Sequence, residues 1–227
     1  MGQVSMVTLD VGGQALMLLP QRAVFLPESD TLVVADAYIG KAPSFRPPGE
    51  PVPVGTTEEA LSILTGLVLR LDVKRVVFLG DFLESVRSLA PGTLAAVTRW
   101  RELHSALELT LVRGDPHEGS GADPPVALDM QVFDEPLMHR GLALCHHPRP
   151  MDGAFVLAGH LHPCVSVGGR AYDWHRLPCF WFSKRVGVLP AFGAFTGMQA
   201  IRVHHGERVF ATTADRVFEL LPKPKPR

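Results

Sequence analysis

Short apolar runs that end in an acidic residue or a histidine recur along the chain. A run of about four to eight apolar residues flanked by turn residues is typical of a buried β-strand. Five runs end in this way, and they are Thr31–Asp36, Arg75–Asp81, Glu108–Asp115, Gly141–His146 and Phe155–His160. We therefore predict five buried strands whose last residues carry oxygen or nitrogen ligands.

In the first half of the chain these runs alternate with helical patterns. Thr56–Leu71 and Thr93–Leu107 have apolar residues at helical spacing, and each lies between two predicted strands. Strand, helix and strand in succession favour right-handed crossovers and a parallel sheet. Because the carboxyl ends of parallel strands meet at one edge of a sheet, we expect Asp36, Asp81 and Asp115 to converge there.

Helical patterns stop near residue 130, and short apolar runs separated by turns follow. The strands expected in this part are 141–146, 155–158, 179–182, 186–189, 200–204 and 208–211. A short antiparallel pair, 15–19 with 23–26, precedes the first long strand. We predict a two-sheet α/β fold in which a second, mostly antiparallel sheet packs on the first.

Length and composition indicate a single domain. The chain has 227 residues, 46% of them hydrophobic, so we assign 1–221 to one domain and expect the charged, proline-rich stretch 222–227 to be a disordered tail. The net charge of −1 provides no general attraction to nucleic acid, so any phosphate binding must be local. The three cysteines have no paired spacing and the first residues lack the pattern of a signal peptide, so we expect a cytoplasmic protein.

Carboxylates and imidazoles at neighbouring strand ends form a ligand set for a divalent transition metal. Mn²⁺, Fe²⁺ and Zn²⁺ accept both kinds of ligand, whereas Mg²⁺ prefers oxygen. Gly159-His160-Leu161-His162 adds two histidines one residue apart after an apolar run. Any one of these residues alone is explained as a turn or surface residue, but together they favour a metal site for one or two ions. Asp81, at the central strand end, is the best candidate for a bridging ligand.

Several motifs resemble those of the calcineurin-like metallophosphoesterases. The order and spacing of that superfamily are matched by Asp36, Gly80-Asp81, Gly114-Asp115, His146-His147 and Gly159-His160-Leu161-His162. A closer resemblance, to the bacterial ligase-associated DNA-damage-response endonucleases, is carried by Gly40-Lys41-Ala42, Phe45-Arg46, Pro51–Thr57, Gly80–Leu83, His147-Pro148, Leu177–Phe182 and Val188–Gly197. The resemblance extends from about Leu18 to Phe210.

The resemblance implies a two-sheet metallophosphoesterase sandwich flanked by helices. It also implies a DNA-repair endonuclease that hydrolyses phosphodiesters with a metal-bound hydroxide, with Mn²⁺ as the first choice of metal and Fe²⁺ or Zn²⁺ as alternatives. By position, one ion would be held by Asp36, Asp81 and His162, and the other by Asp81, Asp115, His146 and His160. The family is encoded beside a DNA ligase and a helicase, so the expected partners are DNA and these two proteins. No association with a membrane is expected.

The chain departs from the family pattern at several active-site positions. Tyr38 stands where the family has a histidine ligand, and a phenol that is neutral near pH 7 is a poorer ligand. Glu84 stands where relatives tend to have histidine, and Pro116 replaces the histidine that assists the leaving group. His117 is then the nearest candidate for a recruited general acid. Losing a general acid typically slows a reaction by about 10²–10⁴-fold.

Three functional interpretations therefore stay open. The first is a phosphodiesterase, with activity weakened by these departures. The second is a scaffold with the same fold that binds DNA or repair partners without cutting, and the third is a phosphoesterase for small nucleotides. Turnover of a small diester with Mn²⁺ favours the enzymes, whereas salt-dependent DNA binding that survives metal removal favours the scaffold.

Three further residues are candidates for substrate contacts. Lys41 and Arg46 lie in the long loop after Asp36, where they can meet phosphates, although loop charges are commonly only solvated. His147 is assigned to a loop or substrate contact, because only one of two adjacent histidines can face the site along a strand. Trp181 is expected in the core, with stacking on a base as the alternative.

Overall fold

The structure is a computed structural model, which describes residues 5–40, 56–83, 85, 88–114, 122–168, 174–193 and 196–221. Within these residues two mixed β-sheets pack face to face, and two α-helices cover the outer face of the first sheet. The two-sheet α/β fold predicted from the sequence is confirmed.

The first sheet keeps its strands in chain order. They are β1 (Val7–Val11), β2 (Gln14–Leu19), β3 (Ala23–Leu26), β4 (Thr31–Ala35), β5 (Arg75–Leu79), β6 (Glu108–Arg113) and β7 (Gln131–Asp134). Strands β1 to β4 pair antiparallel, which includes the predicted pair β2 and β3, and β4 to β7 pair parallel. The carboxyl ends of β4, β5 and β6 therefore lie side by side, as the pattern predicts.

Two helices connect the parallel strands. Helix α1 (Thr56–Leu71) has the predicted bounds and buries Leu64 and Leu67 against the sheet. Helix α2 (Pro91–Leu103) begins earlier and ends earlier than the predicted Thr93–Leu107. A proline at the first helical position suits the fixed φ and the missing N–H of that residue.

The end of α2 is moved by one side chain. The Arg101 guanidinium donates to the carbonyls of His104, at 2.7 Å, and Leu107, at 2.9 Å. These bonds hold residues 104–107 in a turn instead of a further helical turn. Single 3₁₀ turns lie at Pro27–Ser29 and Val126–Leu128.

The second sheet comes from the second half of the chain. Its strands are β8 (Leu137–His139), β9 (Leu142–Leu144), β10 (Phe155–Ala158), β11 (Pro163–Gly168), β12 (Trp174–Phe182), β13 (Val186–Val188), β14 (Gln199–Ala200), β15 (Arg208–Thr212) and β16 (Val217–Leu220). Most of its pairings are antiparallel, but β9, β10 and β13 form a parallel centre. The predicted strand at 200–204 is shorter than expected, because pairing with β11 stops at Ala200.

One apolar layer joins the two sheets and positions the site above it. Val33 and Leu79 of the first sheet pack in the same cluster as Leu144 and Leu157 of the second. Each such side chain contributes about 1.5–3 kcal/mol when it is fully buried. The ends of β4, β5, β9 and β10 are thereby held against one another.

All three cysteines are buried and free, in line with the expectation of a chain without a disulfide framework. In the part of the chain that the structure describes, no helix has both the length and the apolar character needed to cross a membrane.

Candidate metal centre

The strand ends converge through unusual backbone conformations. Asp36 follows β4 with φ of 50°, and Asp81 follows β5 with φ of 34°. His160 and His162, just beyond β10, have φ of 71° and 47°. Positive φ is uncommon for residues other than glycine, and such strained residues gather at functional sites. The side chains of Asp81 and His162 lie close to the carboxylate of Asp36, and His160 contacts that carboxylate through its backbone N–H.

Glycines allow the two sheets to approach this closely. A Cβ atom on Gly80 would collide with the imidazole of His146. A Cβ on Gly159 would lie 2.6 Å from Asp36 Oδ2 and 2.8 Å from the Cβ of Ala35. The glycines that precede Asp81 and His160 therefore make room for the ligands themselves.

Asp36 lies at the bottom of the site and is fully buried. Its Oδ2 accepts a hydrogen bond from the backbone N–H of His160 at 2.8 Å, and Oδ2 is 3.6 Å from Nε2 of His162. Its Oδ1 has no hydrogen-bond partner among the described residues and lies 3.6 Å from Nδ1 of His146. Burial, and next the charge of Asp81, raise the pKa of Asp36 well above its ordinary value, although the His160 N–H acts in the opposite direction.

A buried carboxylate oxygen without a partner is costly, and a bound cation would satisfy it. This orphaned oxygen is the first observation that fits a metal ion.

Three histidines present the same ring nitrogen to the site. Nδ1 of His146 lies 3.3 Å from the carbonyl of Leu79, and Nδ1 of His162 lies 2.9 Å from the carbonyl of Gly197. Nδ1 of His147 lies 2.7 Å from a carboxylate oxygen of Glu135. Because each partner can only accept, Nδ1 is the donor and Nε2 is left as the ligand atom, which is the arrangement that orients metal-binding histidines.

Two candidate ligand groups result, and they share one residue. The ligand atoms of Asp36, Asp81 and His146 lie within 4.8 Å of one another, and so do those of His146, His147 and His160. Nε2 of His146 is 3.1 Å from Nδ1 of His160. Burial lowers the pKa of His146 despite the opposing charge of Asp81, and the neutral imidazole is the form that binds metal.

Tyr38 occupies the side of the site next to His162. Its hydroxyl donates to Asp81 Oδ2 at 2.6 Å and lies 3.4 Å from Nε2 of His162. The phenol therefore contacts the carboxylate that the sequence predicts to be a bridging ligand. At this position the resemblance leads one to expect a histidine ligand. Tyr38 is instead a hydrogen-bond donor to another ligand.

Glu135, which follows β7, was missed by the sequence analysis. One of its oxygens accepts the backbone N–H groups of His146, at 2.7 Å, and His147, at 2.9 Å, while the other meets the His147 ring. Burial alone would raise the pKa of Glu135, but the hydrogen bonds and charge of His147, together with the His146 N–H, outweigh it and lower the pKa. Glu135 thus fixes both histidines at once.

The strand alternation used to separate the two adjacent histidines does not extend to them, and the assignment of His147 to a loop or substrate contact stays a prediction. Strand β9 ends at Leu144, so the alternation of a strand no longer applies at His146 and His147. The chain bends there, and both rings enter the same group with His160.

The structure therefore brings together Asp36, Asp81, His146, His160 and His162, and it adds His147 to the group. The remaining predicted residues lie outside the described part of the chain, and these are Lys41, Arg46, Glu84, Asp115, Pro116 and His117. Trp181 is half-buried, packs against the core and donates to Glu207 at 3.0 Å, as expected of a core residue.

Comparison with known proteins decides the family. No protein-family model matches the chain, and no curated protein matches it. Among solved structures, the crystal structure of the Pseudomonas putida nuclease MPE superposes with a TM-score of 0.79 and is 38% identical, covering 95% of this chain and 100% of that one. The chain belongs to the metallophosphoesterase nucleases. The family resemblance seen in the motifs is confirmed.

The donor set fits the metal dependence of a metallophosphoesterase. Two carboxylates and several imidazoles are ligands that suit Mn²⁺, Fe²⁺ or Zn²⁺. The orphaned Oδ1 of Asp36, together with Nε2 of His162 at 3.6 Å from Oδ2 of the same carboxylate, indicates a site prepared for a cation.

Proposed function

We propose that this protein is a metal-dependent phosphodiesterase that cuts DNA. The observation that carries the proposal is the convergence of Asp36, Asp81, His146 and His160 in overlapping ligand groups, in a chain 38% identical to a nuclease. With Asp81 as a shared ligand, these residues would suit two ions, and two ions about 3.5–4 Å apart stabilise both the attacking and the leaving oxygen of an in-line displacement at a phosphodiester.

Asp36, Asp81 and His162 would hold one ion, and Asp81, His146 and His160 the other. Asp115, which the sequence adds to the second set, stays a prediction. Ions bound there would neutralise phosphate oxygens and lower the pKa of a water toward neutrality. Mn²⁺ is our choice among the metals that accept this mixture of ligands.

The protein's own contribution is to orient these ligands before substrate arrives. The His160 N–H fixes Asp36, and Glu135 fixes the turn that carries His146 and His147. The burial of Asp36 and His146 keeps water away from one side of the site, which strengthens attraction between the ligands and a cation. Loss of a contact that orients a metal-binding histidine, such as those made by Glu135, typically changes metal affinity by about 10–100-fold.

The family uses a histidine to transfer a proton to the leaving oxygen, but Pro116 stands at that position in this chain. Another group must therefore supply the proton. We propose His117 as that acid, and Lys41 and Arg46 as contacts to the DNA phosphates. A role in DNA repair, beside a ligase and a helicase, is proposed from the family resemblance.

The test begins with the metal content of the purified chain, followed by hydrolysis of bis-p-nitrophenyl phosphate with added Mn²⁺ and nicking of plasmid DNA. This small diester has a good leaving group and needs little help from a general acid. We expect bound metal and turnover in the native chain, and the loss of both in Asp81→Ala. Asp152→Ala is the matched control, since Asp152 is an exposed carboxylate that pairs with Arg185.

Loss of a single ion in Asp81→Ala would remove the bridging role from Asp81 but leave the enzyme. A native chain with no metal and no turnover would contradict the proposal. Salt-dependent DNA binding that persists in EDTA would then identify a DNA-binding scaffold.

A further inference from the structure

The β13–β14 loop, whose described residues are 189–193 and 196–198, packs against the turn that carries Asp36. The backbone N–H of Phe192 donates to the carbonyl of Ala35 at 2.8 Å, and that of Gly193 donates to the carbonyl of Asp36 at 3.1 Å. A Cβ atom on Gly193 would lie 2.6 Å from the carbonyl oxygen of Ala37, so the two backbones touch at this point. The loop therefore holds the backbone of the turn in which Asp36 has a φ of 50°.

The same loop contacts a second candidate ligand. The carbonyl of Gly197 lies 2.9 Å from Nδ1 of His162. The hydroxyl of Thr196 donates to the carbonyl of Gly193 at 3.5 Å, which links the part of the loop beside His162 to the part beside Asp36. The loop thus orients the backbone of one ligand and the ring of another, and both belong to the set proposed for the same ion.

Arg22 anchors this loop from the turn between β2 and β3. Its Nη1 donates to the carbonyls of Ala191, at 3.3 Å, and Gly193, at 3.5 Å. The carbonyl of Ala191 and the N–H of Phe192 belong to one peptide group, so this group accepts from the guanidinium on one side and donates to Ala35 on the other. A charged donor strengthens such a bond, and bonds in series polarise one another. Arg22 is therefore connected to the Asp36 turn through a single peptide group.

The backbone of Arg22 indicates that its side chain has a role. Its φ is 61°, in the left-handed region where glycine is unstrained and other residues are uncommon. The side chain is half-buried, and burial lowers the pKa of the guanidinium, although the charge of Glu59 acts in the opposite direction. A partly dehydrated cation at a strained position carries two costs, and its bonds to the loop offset them.

We propose that Arg22 is a positioning residue for the metal ion that Asp36, Asp81 and His162 would hold, and that it acts through the β13–β14 loop. The inference rests on the proposed phosphodiesterase function, because that function needs a metal at these ligands. Without the guanidinium, the peptide group between Ala191 and Phe192 loses the donor that holds it. The turn at Asp36 is then less ordered before metal arrives, so the ion must order it on binding and its affinity falls.

The experiment compares Arg22→Gly with Arg22→Lys. Glycine suits the φ of this position, so the guanidinium is removed without new backbone strain. In calorimetric titration with Mn²⁺, the dissociation constant should be about tenfold higher or more in Arg22→Gly, and intermediate in Arg22→Lys, which keeps a cationic donor. Arg70→Gln is the matched control, since Arg70 is an exposed arginine that meets the side chain of Gln21, next to Arg22. It should bind Mn²⁺ as the native chain does.

Amide hydrogen exchange in EDTA tests the loop itself. In Arg22→Gly the amides of Phe192 and Gly193 should exchange about tenfold faster or more, while the amides of β5 and β6 keep their native protection. A role in overall stability alone would instead speed exchange across the sheet. Native exchange at Phe192 and Gly193, an equal loss of protection in β5 and β6, native Mn²⁺ affinity in Arg22→Gly, or no recovery in Arg22→Lys would each overturn the proposal.

Failure of the inference is distinguishable from failure of the proposed function. A native chain that binds Mn²⁺ and cleaves diesters, with an Arg22→Gly variant of equal affinity, would refute the role of Arg22 alone. A native chain that binds no Mn²⁺ would refute the proposed function. Hydrogen exchange then still decides whether Arg22 holds the Asp36 turn, because faster exchange confined to Phe192 and Gly193 supports that contact and unchanged exchange refutes it.

Discussion

Replacing Asp36 with asparagine should stabilise the metal-free protein and weaken the metal-bound one. Asp36 is fully buried, and one of its oxygens has no hydrogen-bond partner in the described part of the chain. Asparagine has nearly the same shape but no charge. Its carbonyl oxygen can still accept the His160 N–H that now meets Oδ2 at 2.8 Å. The variant therefore removes the charge and keeps this hydrogen bond.

The magnitude follows from the second carboxylate. The ligand oxygens of Asp36 and Asp81 lie within 4.8 Å of each other. Two unit charges at that distance repel by about 3 kcal/mol at an effective dielectric constant of about 20. Protonation of Asp36 relieves part of this repulsion in the native chain, so we expect the free energy of unfolding to rise by about 1–3 kcal/mol in Asp36→Asn without metal.

The sign of the pH dependence follows from the raised pKa of Asp36. The folded state holds this proton more tightly than the unfolded state does, so the penalty is absent below the ordinary pKa of about 3.9. It grows as the pH rises and is complete above the raised folded-state pKa. The advantage of Asp36→Asn should therefore shrink as the pH falls.

The assay is urea unfolding, followed by tryptophan fluorescence, in EDTA and in excess Mn²⁺. The native chain should gain about 2.7 kcal/mol when free metal is 100 times its dissociation constant, and the variant should gain much less. The order of stability should thus reverse between the two conditions. Asp152→Asn, at an exposed carboxylate, should follow the native chain in both. An Asp36→Asn protein that is less stable than the native chain in EDTA would refute the reasoning.

Three further predictions concern neighbouring residues. Glu135→Gln should weaken Mn²⁺ binding about 10–100-fold in calorimetric titration, whereas Asp134→Gln, at the neighbouring residue, should not. The pKa of Glu135 is lowered in the folded state, so its carboxylate should stabilise the protein above the ordinary pKa of about 4.3. This stabilisation should disappear as the pH falls through the folded-state pKa. Tyr38→His should increase the Mn²⁺ bound per chain, measured by elemental analysis, and an unchanged metal count would mean that the phenol does not limit the site. Gly159→Ala should lower the free energy of unfolding by about 1–3 kcal/mol, because its methyl group meets a carboxylate oxygen at 2.6 Å. Gly66→Ala, in α1 with nothing within 4 Å, should instead raise the free energy of unfolding by about 0.5–1 kcal/mol. If thermal unfolding shows that both variants lose a similar amount of stability, the proposed collision at Gly159 is excluded.

The sequence was most informative where a buried strand ends. The strand before Asp36 is apolar after its first residue, Thr31, and buried at every position, so its end was visible from the pattern alone. Glu135 follows β7, which is exposed at all four positions and has no apolar run to reveal it. Its contacts to His146 and His147 arise from the meeting of two distant segments, which no local pattern reports.

Local geometry explains the other differences. His147 was assigned by the alternation of a strand that in fact ends at Leu144. The end of α2 depends on carbonyl contacts of Arg101, which compete with a further helical turn. In both cases the residue types were read correctly, but the point at which a regular element ends was set by contacts beyond it.

The chain order of the first sheet has a consequence for how the protein is made. Each of its strands pairs with the strand synthesised just before it, so the sheet can grow as the polypeptide leaves the ribosome. Asp36 meets His160 across 124 residues, and that contact must wait for the second half of the chain. We expect early intermediates to keep Asp36 hydrated and therefore to avoid the penalty of its buried charge. Pulsed hydrogen exchange during refolding would test this order, and protection of the His160 amide before those of β4 and β5 would contradict it.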